Sequence, residues 1–191
     1  MRNLITLFTI ATLVILSALP AEAQTNWQID AQVLFRDGAR ESLTGVFTTH
    51  SITESSVIAW SYLGVSPSWG EALGGPAFAS ASANSYFEVG VGAGVEQPTF
   101  TPRFGAYALY VRGPADVFLF LEWGDATGSW YYLTSHYAVG RNISLGVHAQ
   151  RYVGVGPRVR YGIGPAYIAG TYTYDHEVEM WAPGVSTGIR F

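Results

Sequence analysis

From Trp27 onward the chain alternates apolar and polar side chains with a period of two. Trp27, Ile29, Ala31, Val33 and Phe35 interleave with Gln28, Asp30, Gln32, Leu34 and Arg36, and Asp37-Gly38 then supplies turn chemistry. Period two is the signature of an extended strand, whose successive side chains point to opposite faces. The pattern recurs over 86–96, where Phe87, Val89, Val91, Ala93 and Val95 oppose Tyr86, Glu88, Gly90, Gly92, Gly94 and Glu96. It recurs again in pairs. Segments 103–112 and 116–123 flank Gly113-Pro114, 130–139 and 143–150 flank Gly140-Arg141-Asn142, and 155–163 and 166–175 flank Gly164-Pro165. Three further segments are a weaker one at 43–50, one at 57–65 with Ile58, Trp60 and Tyr62 on one face, and one at 69–79. The third is interrupted by Gly74-Gly75-Pro76, so a single loop over 66–85 is the alternative. The last segment, 184–191, sets Val185, Thr187, Ile189 and Phe191 against Ser186, Gly188 and Arg190 and finishes on an aromatic residue.

These segments predict an all-β chain of twelve strands. Dropping 43–50 and 69–79 gives ten, and eight is a further alternative. Most are joined by turns too short for a crossover, so neighbours run antiparallel. The outward rows carry almost no charge, as in a barrel whose strands alternate between lipid and lumen. The expected architecture is therefore an antiparallel up-and-down transmembrane β-barrel. Twelve strands leave roughly 14 residues per strand and turn, against the 9–11 that span a bilayer with tilt, so every loop must be short. Both ends on one side of a membrane require an even number. A last strand running inward makes the turns at 113–114, 140–142 and 164–165 periplasmic and the 124–128 and 176–183 loops extracellular. Trp123, Trp130 and Trp181 are then expected at the outer rim, and Trp27 and Phe191 at the inner rim, as an aromatic girdle.

Residues 1–23 have the form of a cleaved signal peptide. Arg2 supplies the positive end, an apolar run follows over 4–19, and Ala21-Glu22-Ala23 offers an A-x-A cleavage site. The run falls short of the roughly 20 residues a spanning helix needs. The barrel domain is expected over 24–191.

Composition narrows the class. Charged residues make up 13% of the chain, Lys is absent, and the net charge is −4, so the basic stripe of a nucleic-acid binder is missing. Cys is absent too, which excludes disulfides and thiolate metal sites. A secreted lipocalin-like binding barrel is the soluble alternative. Such a fold exposes its polar face and usually carries more charge, some of it Lys.

Candidate chemistry sits on the inward rows. Asp30, Glu88, Glu96, Glu122 and Asp175 face Arg36, Arg158, Arg160 and Arg190, with His136 and His148 among them. Charges in a confined interior persist when paired, so a salt-bridge network filling the lumen is expected. The sharper reading is a selective pore with Arg158 and Arg160 as an anion-attracting strip. Within the set of lumen charges we single out Asp30, Glu88, Glu122, His136, His148, Arg158, Arg160 and Arg190. Residues 184–188 match G-x-S-x-G, but a nucleophile elbow needs a following helix and a downstream His, and neither is present. Ser135 and His136 are adjacent and so point to opposite faces. An outer-membrane lipid-modifying enzyme of deacylase type is an alternative that needs a Ser, a His and a carboxylate to converge at the outer rim; no catalytic residue is assigned. No His-x-His or His-x-x-x-His spacing supports a metal, and no cofactor is expected.

The leader-like start, alternating strands, tight turns, aromatic rims and final Phe191 resemble small bacterial outer-membrane β-barrel proteins of the porin-like group. Stretches such as 69–96 and 156–159 look like those of its members. The resemblance implies an outer-membrane location, contact with outer-membrane lipid, and recognition by the barrel-assembly machinery through the strand that ends in Phe191. It implies a structural or narrow-pore role and carries over no functional residue.

Overall fold

The computed structural model describes residues 25–36, 39–51, 56–125 and 128–190. The leader at 1–23 and the final Phe191 lie outside them. The twelve strands are β1 (Thr25–Arg36), β2 (Ala39–Ser51), β3 (Val57–Val65), β4 (Gly70–Ala81), β5 (Ser85–Gln97) and β6 (Thr101–Arg112), followed by β7 (Ala115–Gly124), β8 (Trp130–Ala138), β9 (Ile143–Gln150), β10 (Gly154–Ile163), β11 (Ala166–Asp175) and β12 (Met180–Arg190). Each pairs antiparallel with its sequence neighbours, and β1 pairs with β12, so the sheet closes on itself. Both doubtful strands form, which removes the counts of ten and eight. No connection exceeds five residues, which is how twelve strands fit in this length.

The closing register sets Gln28 against Arg190, Asp30 against Gly188 and Gln32 against Ser186. The proximal mouth is the end where β1 begins and β12 finishes; the opposite end is the distal mouth. Turns at 113–114, 139–142 and 164–165 lie at the proximal mouth, and those at 66–69, 151–153 and 176–179 at the distal one.

Alternation decides what faces where. Val91, Leu121, Leu145, Val147, Val159, Ile168 and Val185 stand exposed on the outer surface. They form an apolar belt with no described charge among them. Around the distal mouth, Trp123 stacks on Phe104 with centroids 6.2 Å apart, and Trp181 stacks on Tyr172 at 4.9 Å. Tyr110, Tyr137 and Tyr161 are exposed near the proximal mouth. Trp27 pairs with Thr48 through its backbone, but its side chain lies outside the described residues, as Phe191 does.

The Gly74-Gly75-Pro76 interruption has a packing reason. Gly75 stands directly opposite Trp60. With no side chain at Gly75, the indole crosses β4 and donates Nε1–H to the Val91 carbonyl of β5 at 3.0 Å. Pro76, which faces Val91 by the register on either side, has no N–H to offer that carbonyl. The glycine row of β5 makes the other half of the seat. A Cβ at Gly92 would stand 2.7 Å from Trp60 Cζ2, and one at Gly90 2.2 Å from Tyr107 Cε1. Gly90→Val is therefore expected to prevent closure of the barrel or to expel Trp60. The readout is loss of heat-modifiable gel migration after refolding, with Val91→Ala on the lipid face as the control that still folds.

Candidate functional site: the lumen

The lumen narrows from a distal vestibule to an aromatic constriction. The vestibule is a cavity of about 520 Å³ lined by residues that include Trp69, Arg103, Trp130, Arg151, Tyr152 and Val153. Its floor is a wad of rings. Trp60 packs edge-on against Tyr107 and Phe120 with centroids at 5.1 and 5.9 Å, and Phe47 contacts Trp60, Tyr107, Phe118 and Phe120. Tyr62 lies against Phe120 at 4.9 Å. Each ring occupies an inward position of its strand, where the alternation of β3 and β7 puts it. Beside the wad a space of about 60 Å³ remains. Gln28, Asp30, Gln32, Tyr167 and Ser186 form its polar wall, and Phe47, Tyr62, Phe118, Phe120, Trp130 and Tyr132 its aromatic wall.

Trp130 corrects the expected girdle. It stacks on Tyr132 at 6.1 Å, meets Phe120 edge-on and lines both cavities, so it faces the lumen and not the rim. The cause is parity. Trp130 shares its face with Tyr132, Thr134 and His136, and Tyr131 takes the outward position. Trp123 and Trp181 do stand outward at the distal end, both about half exposed.

The lumen charges separate into several groups. Under the vestibule, the Arg103 guanidinium meets three carboxylates. Its Nε lies 2.9 Å from Glu71 Oε2, Nη1 3.2 Å from Glu96 Oε2 and Nη2 2.9 Å from Glu122 Oε2. Nη1 also donates to the Gly128 carbonyl at 3.1 Å, and Trp69 Nε1 donates to Glu96 Oε1 at 2.7 Å. All four charged residues are at most 3% exposed. A planar fork of five donors on one cation suits this geometry as a lysine ammonium would not.

Nearer the proximal mouth, Asp116 joins two bases. Its Oδ1 is 2.8 Å from His136 Nδ1, and its Oδ2 accepts from Arg160 Nη2 at 2.9 Å. Glu88 is buried and accepts from the hydroxyls of Tyr86 and Tyr107. Asp30 accepts from Tyr167 and from Gln28. Arg158 donates to Ser186 Oγ at 2.9 Å, and His148 is fully buried edge-on to Tyr132. Arg190 lies in the exposed last position of β12 and forms no ion pair with these groups among the described residues, a correction to its expected place among the buried charges. A strand end lies at the mouth, where water solvates a cation at little cost.

Glu71, Arg103 and Asp116 were not among the expected site residues. Parity alone finds them: Arg103 shares its face with Gly105 and Tyr107, and Asp116 with Phe118, Phe120 and Glu122. Neither His136 Nε2 nor either nitrogen of His148 has a hydrogen-bond partner among the described residues, so no serine is engaged by either base. His136 lies toward the proximal mouth, away from the rim where the deacylase alternative needs its triad. Among the described residues no cluster of three metal-ligating side chains forms.

No family model matches the chain, and no curated protein matches it by sequence. Among solved structures, one from work described as "Unveiling the Mechanism Behind the in-meso Crystallization of Membrane Proteins" is similar over 87% of this chain and 83% of its own, with a TM-score of 0.53 and 11% identity. A mutant of the Rh. blastica porin aligns over 89% of this chain and 99% of its own at 9% identity, with a TM-score of 0.29. A triple mutant of the Rhodopseudomonas blastica porin aligns at 8% identity with a TM-score of 0.30. Scores this low carry nothing about function to this chain. The first likeness is one of fold and agrees with the closed antiparallel β-barrel of this chain.

Proposed function

We propose that the protein is an outer-membrane β-barrel whose lumen is a narrow path for small solutes, wide at the distal mouth and constricted at mid-height. One observation carries the reading: a vestibule of about 520 Å³ and a space of about 60 Å³ with a polar wall share Gln32, Leu43 and Trp130 in their lining. That residue of space holds only a few waters, since one water needs about 10–15 Å³ by such a measure. The path therefore passes small solutes and blocks large ones. The apolar belt supports residence in lipid. The aromatic distal rim supports the expected orientation, with the proximal mouth toward the periplasm and the last strand presented to the barrel-assembly machinery.

Planar-bilayer recording of the refolded protein tests the reading. Small, resolved conductance steps are expected. A silent bilayer with correctly folded protein would remove the pore and leave a filled structural barrel.

Asp116 sets the charge near the proximal mouth, because it neutralises Arg160 and holds His136. Asp116→Asn leaves the Arg160 guanidinium without its carboxylate. The reversal potential under a salt gradient is expected to move toward anion preference, with the barrel still folded. An unchanged reversal potential would place Asp116 off the conducting path.

A further inference from the structure

Arg158 differs from the other cations that face the lumen. Arg103 has three carboxylates around it and Arg160 has Asp116. Arg158 is 3% exposed, and among the described residues no carboxylate lies within ion-pair distance of it. Its Nη2 donates to Ser186 Oγ at 2.9 Å, and its Nε has no partner. A buried guanidinium without a counter-charge is costly, more so inside a membrane protein, where bulk water is excluded.

The groups around it are donors that lack acceptors. Thr171 is its register partner on β11, and Thr171 Oγ1 is buried without a partner. Ser186 is the register partner of Gln32 on β1, and Gln32 Nε2 is likewise buried without a partner. His148 lies on β9 two residues from Gly146, which pairs with Arg158, and it is 0% exposed. Gln32 and Ser186 both line the space of about 60 Å³. Arg158 Nε, Thr171 Oγ1 and Gln32 Nε2, buried without partners around Ser186, are donors that call for an anion.

Asp30 bounds what that anion can be. It lines the same space, its oxygens accept from Tyr167 and Gln28, and the Tyr167 ring stands 5.9 Å from the Arg158 guanidinium carbon. A carboxylate on the same wall, two residues from Gln32, repels a multivalent anion more than a monovalent one. The space is also too small for an organic acid. We propose that Arg158, with Ser186, Thr171 and Gln32, forms a binding site for a small monovalent inorganic anion of halide size. The site stands whether or not the lumen conducts, because it needs only access for one ion.

Bromide is the probe. In crystals of the full barrel grown in bromide, an anomalous peak is expected in contact with the Arg158 guanidinium and Ser186 Oγ. In detergent at constant ionic strength, replacing gluconate by bromide is expected to raise the unfolding midpoint saturably. Arg158→Gln should abolish both effects, and Thr171→Val should raise the half-saturating bromide concentration several-fold in a folded barrel. Equal midpoints in gluconate and bromide, or a peak only at exposed arginines such as Arg190, would overturn the site. So would a bromide effect that survives Arg158→Gln. Should that variant fail to fold, Thr171→Val and Ser186→Ala decide, and unchanged half-saturation in both would sink the proposal.

Discussion

Trp60→Ala is expected to raise single-channel conductance several-fold and to cost about 3–5 kcal/mol of stability, the usual loss for truncating a buried aromatic. Trp60 is 3% exposed and touches Phe47, Tyr107 and Phe120, so its indole is the keystone of the constriction. The glycines that seat it, Gly75, Gly90 and Gly92, have no side chains to fill the gap. The vacated volume therefore joins the lumen and does not collapse. The loss also strands the Val91 carbonyl, which Trp60 Nε1 bonds at 3.0 Å. Trp60→Phe separates the two contributions. It keeps most of the ring, so conductance should stay near that of the unaltered protein. It still loses the hydrogen bond, at about 1–3 kcal/mol for an unmet buried acceptor. Bilayer recording and denaturant midpoints check both variants. Equal conductance in Trp60→Ala and the unaltered barrel would show that ions do not pass the aromatic wad.

Arg103→Met is expected to cost about 3–5 kcal/mol, the range for deleting one partner of a buried ion pair. The variant leaves Glu71, Glu96 and Glu122 facing one another under the vestibule, each at most 3% exposed. Arg103→Lys should recover little, since an ammonium cannot present a planar fork to three carboxylates. Adding Glu71→Gln and Glu122→Gln to Arg103→Met should recover most of the loss, because the repulsion is then gone. The measurement is the midpoint of urea unfolding in lipid vesicles for the four proteins. A triple variant no more stable than Arg103→Met alone would mean that Arg103 acts through packing, not charge.

Legibility in the sequence followed how local each feature is. The strands over 86–96 and 184–190 could be read from alternation alone, since each has a wholly different face on either side. The even strand number followed from the requirement that both ends share a mouth. The strand over 70–81 was the weakest because Gly74-Gly75-Pro76 removes side chains where alternation would show. Its reason is Trp60 on the neighbouring strand, which no window along β4 contains. Trp130 was misplaced for a different cause. A tryptophan next to a loop suggested a rim, but its parity with Tyr132 and His136 already set it inward. Most charges of the inner rows lie buried, but their partners were not legible in the sequence. Glu122 meets Arg103 and Asp116 meets Arg160, which is 44 residues away along the chain.

The sequence by itself determined the class: an all-β ring with an apolar outside, a polar and aromatic inside, short turns and an even count. Side-chain period and turn chemistry are properties of a few consecutive residues, so they survive without any knowledge of the neighbours. Only the tertiary structure decided how the lumen is filled. Strand tilt and register bring Trp60 over Gly75 to β5, gather three glutamates on Arg103, and leave Arg158 among donors without a carboxylate. Those contacts join residues on different strands across a closed sheet, and their partners are set by register, which no single strand encodes.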